Sequence, residues 1–171
     1  TNCANQGLVL GADSASDYVG GIAGYTDGAL LDRCTSRSGR STGFAYTADQ
    51  KNLLRGSYVG GIVGYGDHSY IRDCATQADG YILGGRYVGG IAGRNLGSLI
   101  QCRNSGSVNT TEVETEKDLT NVDWEQLNSA ENMPASTDIG GIAGWSSGIL
   151  QSCSNSGPVG YAHVGYNIGG V

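Results

Sequence analysis

The sequence predicts an all-β chain: a parallel β-solenoid of about five to six coils with two insertions at one corner, the second partly helical. Three observations carry that prediction. A glycine-centred block recurs: Val-Gly-Gly-Ile-Ala-Gly at 19–24, Val-Gly-Gly-Ile-Val-Gly at 59–64, Val-Gly-Gly-Ile-Ala-Gly at 88–93 and Ile-Gly-Gly-Ile-Ala-Gly at 139–144. A cysteine follows the start of each block by a nearly constant 15, 15, 14 and 14 residues. The distance from each cysteine to the next block varies, at 16, 25, 14, 37 and 15 residues. Constant spacing implies a stacked element in fixed register, and variable spacing implies loops leaving one edge of the stack.

Taken in order, the chain opens with the tail of a repeat, residues 1–9, containing Cys3-Ala-Asn-Gln-Gly-Leu-Val9. Repeats follow near 19–39, 59–80, 88–108 and 139–159, and a partial one begins at 168–171. The paired glycines Gly20-Gly21, Gly60-Gly61, Gly89-Gly90 and Gly140-Gly141 are read as structural, as are Cys34, Cys74, Cys102 and Cys153. After each glycine block comes a turn, such as Gly24-Tyr-Thr-Asp-Gly28, whose glycines suit positive φ or a bare backbone. Short Val- and Ile-rich patches between glycine turns read as strands. A helical repeat is disfavoured, because each Gly costs a helix about 1 kcal/mol relative to Ala. Val19 and Ile22 are three apart, as are Leu31 and Cys34, so strict alternation would put each pair on opposite faces. A bend or bulge inside each strand is therefore expected, and Gly-Gly makes it easy.

The insertions are placed at about 40–57 and 109–138. The first, with its approach, carries Arg37, Arg40, Lys51 and Arg55 against Asp49. The second holds eight of the chain's 16 acids against Lys117. A short helix is expected over 121–132. Because the insertions leave one corner two coils apart, about 10 Å at strand spacing, the basic loop is expected to touch the acidic one.

Composition narrows the function classes. The chain has 171 residues, net charge −6 and only 15% charged residues. No basic stripe for nucleic acid is present. No apolar run approaches the 18 residues of a membrane span. The chain starts without Met and stops inside a repeat, so it is expected to be a segment of a longer protein.

The block Tyr-Val-Gly-Gly-Ile-Ala-Gly-Arg-Asn-Leu-Gly-Ser-Leu-Ile-Gln-Cys-Arg-Asn-Ser-Gly-Ser-Val at 87–108 resembles a GLUG-motif repeat, as does Asp138 through Val159. The resemblance implies β-solenoid segments of large bacterial surface or secreted proteins. These include adhesin-like proteins and non-catalytic regions of immunoglobulin-A-cleaving metallopeptidases. The sequence departs from the pattern at its insertions and at His68, which replaces the second turn glycine.

Candidate chemistry is sparse. Four copies of Gly-Gly-x-x-Gly without a following helix argue against a phosphate loop. The five cysteines share one repeat position and read as buried thiols, with disulfides or a metal as the alternatives. Asp27 and Asp67 share a matched position, similar to calcium-binding β-roll repeats, but an acidic surface is more often simply solvated. No cofactor and no catalytic residue is assigned. Aromatic residues flank the glycines and read mainly as a stacking ladder. Tyr25, Tyr65, Trp145 and, in the second insertion, Trp124 are the candidate ligand contacts. The expected role is a non-catalytic structural or adhesive segment of a bacterial cell-surface or secreted protein. Its expected partners are flanking domains of its own polypeptide and a host protein or glycan. The alternative is a β-helical polysaccharide lyase or hydrolase.

Overall fold

A computed structural model describes residues 1–7, 9–10, 18–36, 40–42, 57–78, 80–84, 86–109, 136–160 and 165–171. Its strands are two to five residues long and all their pairings are parallel and in register, as a β-solenoid requires. A half-coil, β1 (Ala4–Asn5) and β2 (Val9–Leu10), leads into the first full coil. That coil runs β3 (Val19–Gly20), β4 (Ala23–Asp27), β5 (Leu30–Asp32), β6 (Thr35–Ser36) and β7 (Arg40–Thr42). The second runs β8 (Ser57–Gly60), β9 (Val63–Asp67), β10 (Tyr70–Arg72), β11 (Ala75–Thr76) and β12 (Tyr81–Leu83). The third runs β13 (Arg86–Gly89), β14 (Ala92–Asn95), β15 (Ser98–Ile100), β16 (Arg103–Asn104) and β17 (Ser107–Val108). The fourth runs β18 (Ser136–Gly140), β19 (Ala143–Ser146), β20 (Ile149–Gln151) and β21 (Ser154–Asn155), closing through a Val108–Val159 bridge. β22 (Gly165–Gly169) begins the next.

Strands at equivalent positions stack into five sheets, so each coil has five faces. The bends expected from the three-residue spacings are present, but they are built in two ways. Between Val19 and Ile22 the strand ends at Gly20 and resumes at Ala23, so the bend is Gly21-Ile22, beginning at the second glycine of the pair. Between Leu31 and Cys34 the bend is a left-handed residue that is not glycine: Arg33, with Asp73, Gln101 and Ser152 in later coils, at φ between 53° and 54°. A second left-handed corner precedes the glycine block, at Tyr58, Tyr87, Asp138 and Asn167. His68 has φ 44° where the first coil has Gly28 at 58°, so the substituted turn keeps the glycine's conformation.

The paired glycines do not need positive φ. They answer a steric demand. A Cβ on the first, Gly20, Gly60, Gly89 or Gly140, would strike the carbonyl three residues on. A Cβ on the second would strike the next coil's glycine carbonyl and a side chain across the interior. Those side chains are Ser36, Thr76, Asn104 and Asn155, facing Gly21, Gly61, Gly90 and Gly141. The coil is therefore pinched at this row, and its apolar interior splits into two lobes. The larger holds Leu31, Cys34, Ile62, Ile71, Cys74, Ile91, Leu99, Cys102 and Ile142 with smaller neighbours. The other holds Val19, Val59, Ile82, Val88, Val108 and Ile139.

The insertions are narrower than the spacings predict. Arg40–Thr42 pairs with β12 and β2 and so belongs to the coil, as do Asn109 and the strand from Ser136. The extra chain lies within 43–56 and 110–135. The expected helix over 121–132, the contact between basic and acidic loops, and Trp124 all fall outside the described residues.

Candidate functional site

Four of the five cysteines lie where the spacing put them, on the inner wall of the larger lobe; Cys3, in the opening half-coil, does not, because no full coil covers it. Cys34, Cys74 and Cys102 are buried, Cys153 is partly so, Cys3 is exposed, and all five thiols are free. Cys74, Cys102 and Cys153 each sit within donating distance of a carbonyl at their own corner and one in the preceding coil, and Cys34 within reach of Asp32 O at its own corner. Cys102 Sγ lies 3.4 Å from Ile100 O and 3.5 Å from Ile71 O; Cys153 Sγ lies 3.3 Å from Leu99 O. Contact with the Cys74 sulfur and burial push the Cys102 thiol far above its ordinary range, and burial pushes Cys34 up. The same contact works the other way on the middle thiol: the hydrogen bond with Cys102 draws Cys74 down to about 7, so the row is not uniformly protonated.

The polar row at the pinch is equally ordered. Asn104 accepts from Gly106 N (3.0 Å) and donates to Gly106 O (2.9 Å) and to Asn155 Oδ1 (2.8 Å). Asn155 clasps Gly157 the same way, and Asn5 clasps Gly7. The signal was present in the sequence as Cys-x-Asn-x-Gly at 3–7, 102–106 and 153–157. In the second coil Thr76 replaces Asn and donates to Gly90 O at 2.6 Å.

Polar chemistry on the outer surface gathers in three places. Asp32 is buried, and it accepts from Arg72 Nε at 2.7 Å and Arg33 Nε at 3.0 Å. The Arg72 hydrogen bond, with Arg33 in support, holds its carboxyl below the usual range. Asp27 and Asp67 pair in register, and with His68 they place three donor atoms within 4.8 Å of one another. His68 Nδ1 lies 2.6 Å from Asp67 Oδ1. This trio could ligate a hard cation, and it is the one such group among the described residues.

The third place is the aromatic stripe. Tyr18, Tyr58 and Tyr87 stack at 5.3 Å and 5.1 Å with interplanar angles of 22° and 11°. Beside them Tyr25 and Tyr65 stack at 5.4 Å. Tyr65 meets Tyr58 edge-on at 5.3 Å, which ties the two columns together. The second column continues in register through Arg94 to Trp145. The Arg94 guanidinium carbon lies 5.2 Å from the Tyr65 ring, 4.6 Å from Trp145 and 5.9 Å from Tyr58. Of the candidate ligand contacts, then, Tyr25, Tyr65 and Trp145 share one column. Arg94, which sequence reasoning passed over, joins them. Desolvation, then the nearby Asp27 and Asp67, raise the Tyr25 phenol's pKa. Ring faces within the columns are spent on each other. What the stripe offers outward is ring edges and hydroxyls, with Tyr18 and Tyr25 each 49% exposed.

Residues 84–109 match the family model of the GLUG motif. The match coincides with one turn of the solenoid. Its first and last residues are clasped, Gly84 N donating to Asn109 Oδ1 at 2.8 Å and Asn109 Nδ2 to Gly84 O at 2.9 Å. No curated protein and no solved structure matches the chain. No helix among the described residues is long and apolar enough to cross a membrane.

Proposed function

We propose that this chain is a non-catalytic structural and adhesive segment of a bacterial cell-surface or secreted protein. It holds neighbouring parts of its polypeptide apart and presents its two insertions to a host protein or glycan. One observation carries the reading. Five faces stay in register from coil to coil, while the long additions of chain enter at one corner, after β7 and after β17. A scaffold needs the first property and a presenting surface needs the second. The GLUG match supports a repeat protein, and the resemblance to surface and secreted proteins supports its location.

Binding of the wild type to arrays of host proteins and glycans tests this, with a variant lacking 109–138 as control. The reading expects selective binding that the deletion removes. Binding to no array element would reduce the role to that of a spacer. Depolymerisation of an arrayed polysaccharide would favour the lyase or hydrolase alternative instead.

A further inference from the structure

We propose that Arg94, set into the aromatic columns, is the anchor of a binding site for a glycan bearing a single carboxylate. The proposal rests on the presentation reading above and names the chemistry of one ligand, at the coil surface instead of the insertions.

Arg94 is unlike the other inter-coil arginine contact on this surface. Arg72 is satisfied by buried Asp32. Among the described residues no carboxylate lies within ion-pair distance of Arg94, and its Nε is buried without a hydrogen-bond partner. The rings of Tyr58, Tyr65 and Trp145 hold the guanidinium and remove part of its water. A guanidinium is always charged, and its rigid fork of donors matches a carboxylate's two oxygens. Donors held still and partly dry lose little freedom on meeting such a group.

Two features narrow the ligand further. The equivalent positions in the second column are Tyr25, Tyr65 and Trp145, so that column has one cation; the stripe's other arginine, exposed Arg86, lies 4.8 Å over the Tyr87 ring and already donates to the Tyr87 hydroxyl. The chain's net charge of −6, with Asp27 and Asp67 two residues along from Tyr25 and Tyr65, repels a polyanion. A nucleic acid or a uronate polymer is thereby disfavoured against one acidic sugar in a neutral chain. The amphipathic edges and hydroxyls of half-exposed Tyr18 and Tyr25 suit the mixed C–H and O–H surface of the neutral sugars.

The test is calorimetric titration with 3′-sialyllactose, its methyl ester and lactose, on the wild type, Arg94→Gln, Arg94→Lys and the surface control Arg103→Gln. The expected result is that the acid binds wild type and Arg103→Gln alike. Arg94→Gln should weaken it about tenfold or more, the scale of hydrogen bonds to a charged group. Arg94→Lys, which keeps the charge but loses the fork, should fall between. The ester should bind wild type no better than the acid binds Arg94→Gln. Thermal melts confirm that the variants are folded. Equal affinity for acid and ester, full affinity in Arg94→Gln, or no binding by the wild type would each overturn the proposal. The array experiment with the 109–138 deletion reads the insertions separately, so failure here leaves the presentation reading standing.

Discussion

The two lobes of the coil interior are built from similar residues but under different constraints. The larger lobe lies between the Gly-Gly and the cysteine, a stretch whose length varies by one residue across four coils. The valine lobe is closed by Ile82 and Val108 on one wall and by Val59, Val88 and Ile139 on the other. Between those walls the chain leaves and returns. Its register is set by stacking on neighbouring coils and not by local chain length, because β13 pairs with β8 and β18 across both insertions. Loop closure grows only slowly with length, about 0.6 kcal/mol per doubling, so a corner held by its neighbours can carry long insertions.

If the pinch between the lobes is what fixes the coil, the largest effect should come from filling it. Gly90→Ala should destabilise by at least about 3 kcal/mol, because its Cβ meets backbone on one side and Asn104 on the other. Gly66→Ala should lie within about 0.5 kcal/mol of wild type, since its nearest contact is Ile71 Cδ1 at an ordinary 3.5 Å. Urea denaturation of both variants measures the contrast, and similar losses would remove the special role of the glycine pair. Truncations compare the lobes directly. Leu99→Ala should cost about 3 kcal/mol and Val88→Ala about 2, each leaving a cavity at a fully buried site. A larger loss at Val88 in the same denaturation assay would reverse the ranking. Asn104→Ala should cost about 2 kcal/mol by abandoning the buried amide and carbonyl of Gly106. A negligible loss would show that the polar row merely fills space.

The smallest effect belongs to the outer surface and depends on pH. The Asp32 carboxyl is depressed by Arg72 and Arg33. Its stabilising contribution is therefore present above the ordinary Asp range, near 4, and is lost as pH falls through the lower folded value. The stability gap between wild type and Asp32→Asn should be constant from neutrality to about pH 5 and should shrink below about pH 4. A gap that widens on acidification would contradict the sign.

The constant half of the coil was legible in the sequence because the repeats compare one another: four glycine blocks and four cysteines in phase exclude most other readings. The pinch was only partly legible, through the Asn of Cys-x-Asn-x-Gly at 3–7, 102–106 and 153–157. Ser36, Thr76, Asn104 and Asn155 share a position but no single residue type, and their partner across the interior is a glycine, which has no side chain to signal contact. The left-handed corners were hidden for a related reason. Arg33, Asp73, Gln101 and Ser152 are polar but otherwise unlike, and none is the glycine that usually marks positive φ. Arg94 was missed because averaging over repeats emphasises the aromatic residues it interrupts. Conversely, the 14-residue spacing from Cys74 to the next glycine block was visible and marks the shortest crossing at this corner.

That crossing supplies the most direct test of the coil as an autonomous unit that merely carries its insertions. Register aligns Leu83 with Thr42 and Arg86 with both Ser57 and Thr137. Residues 43–56 can therefore be replaced by Gly-Gly, and 110–135 by a single Gly that keeps Ser136 in β18, without shifting a strand. The thermal unfolding of this trimmed chain, followed by far-ultraviolet circular dichroism, should remain a single cooperative transition. Stability should be retained or raised by up to about 2 kcal/mol per shortened loop. Loss of the β signal or of cooperativity would mean that the insertions hold the coils together, contradicting the division between a fixed lobe and a permissive one.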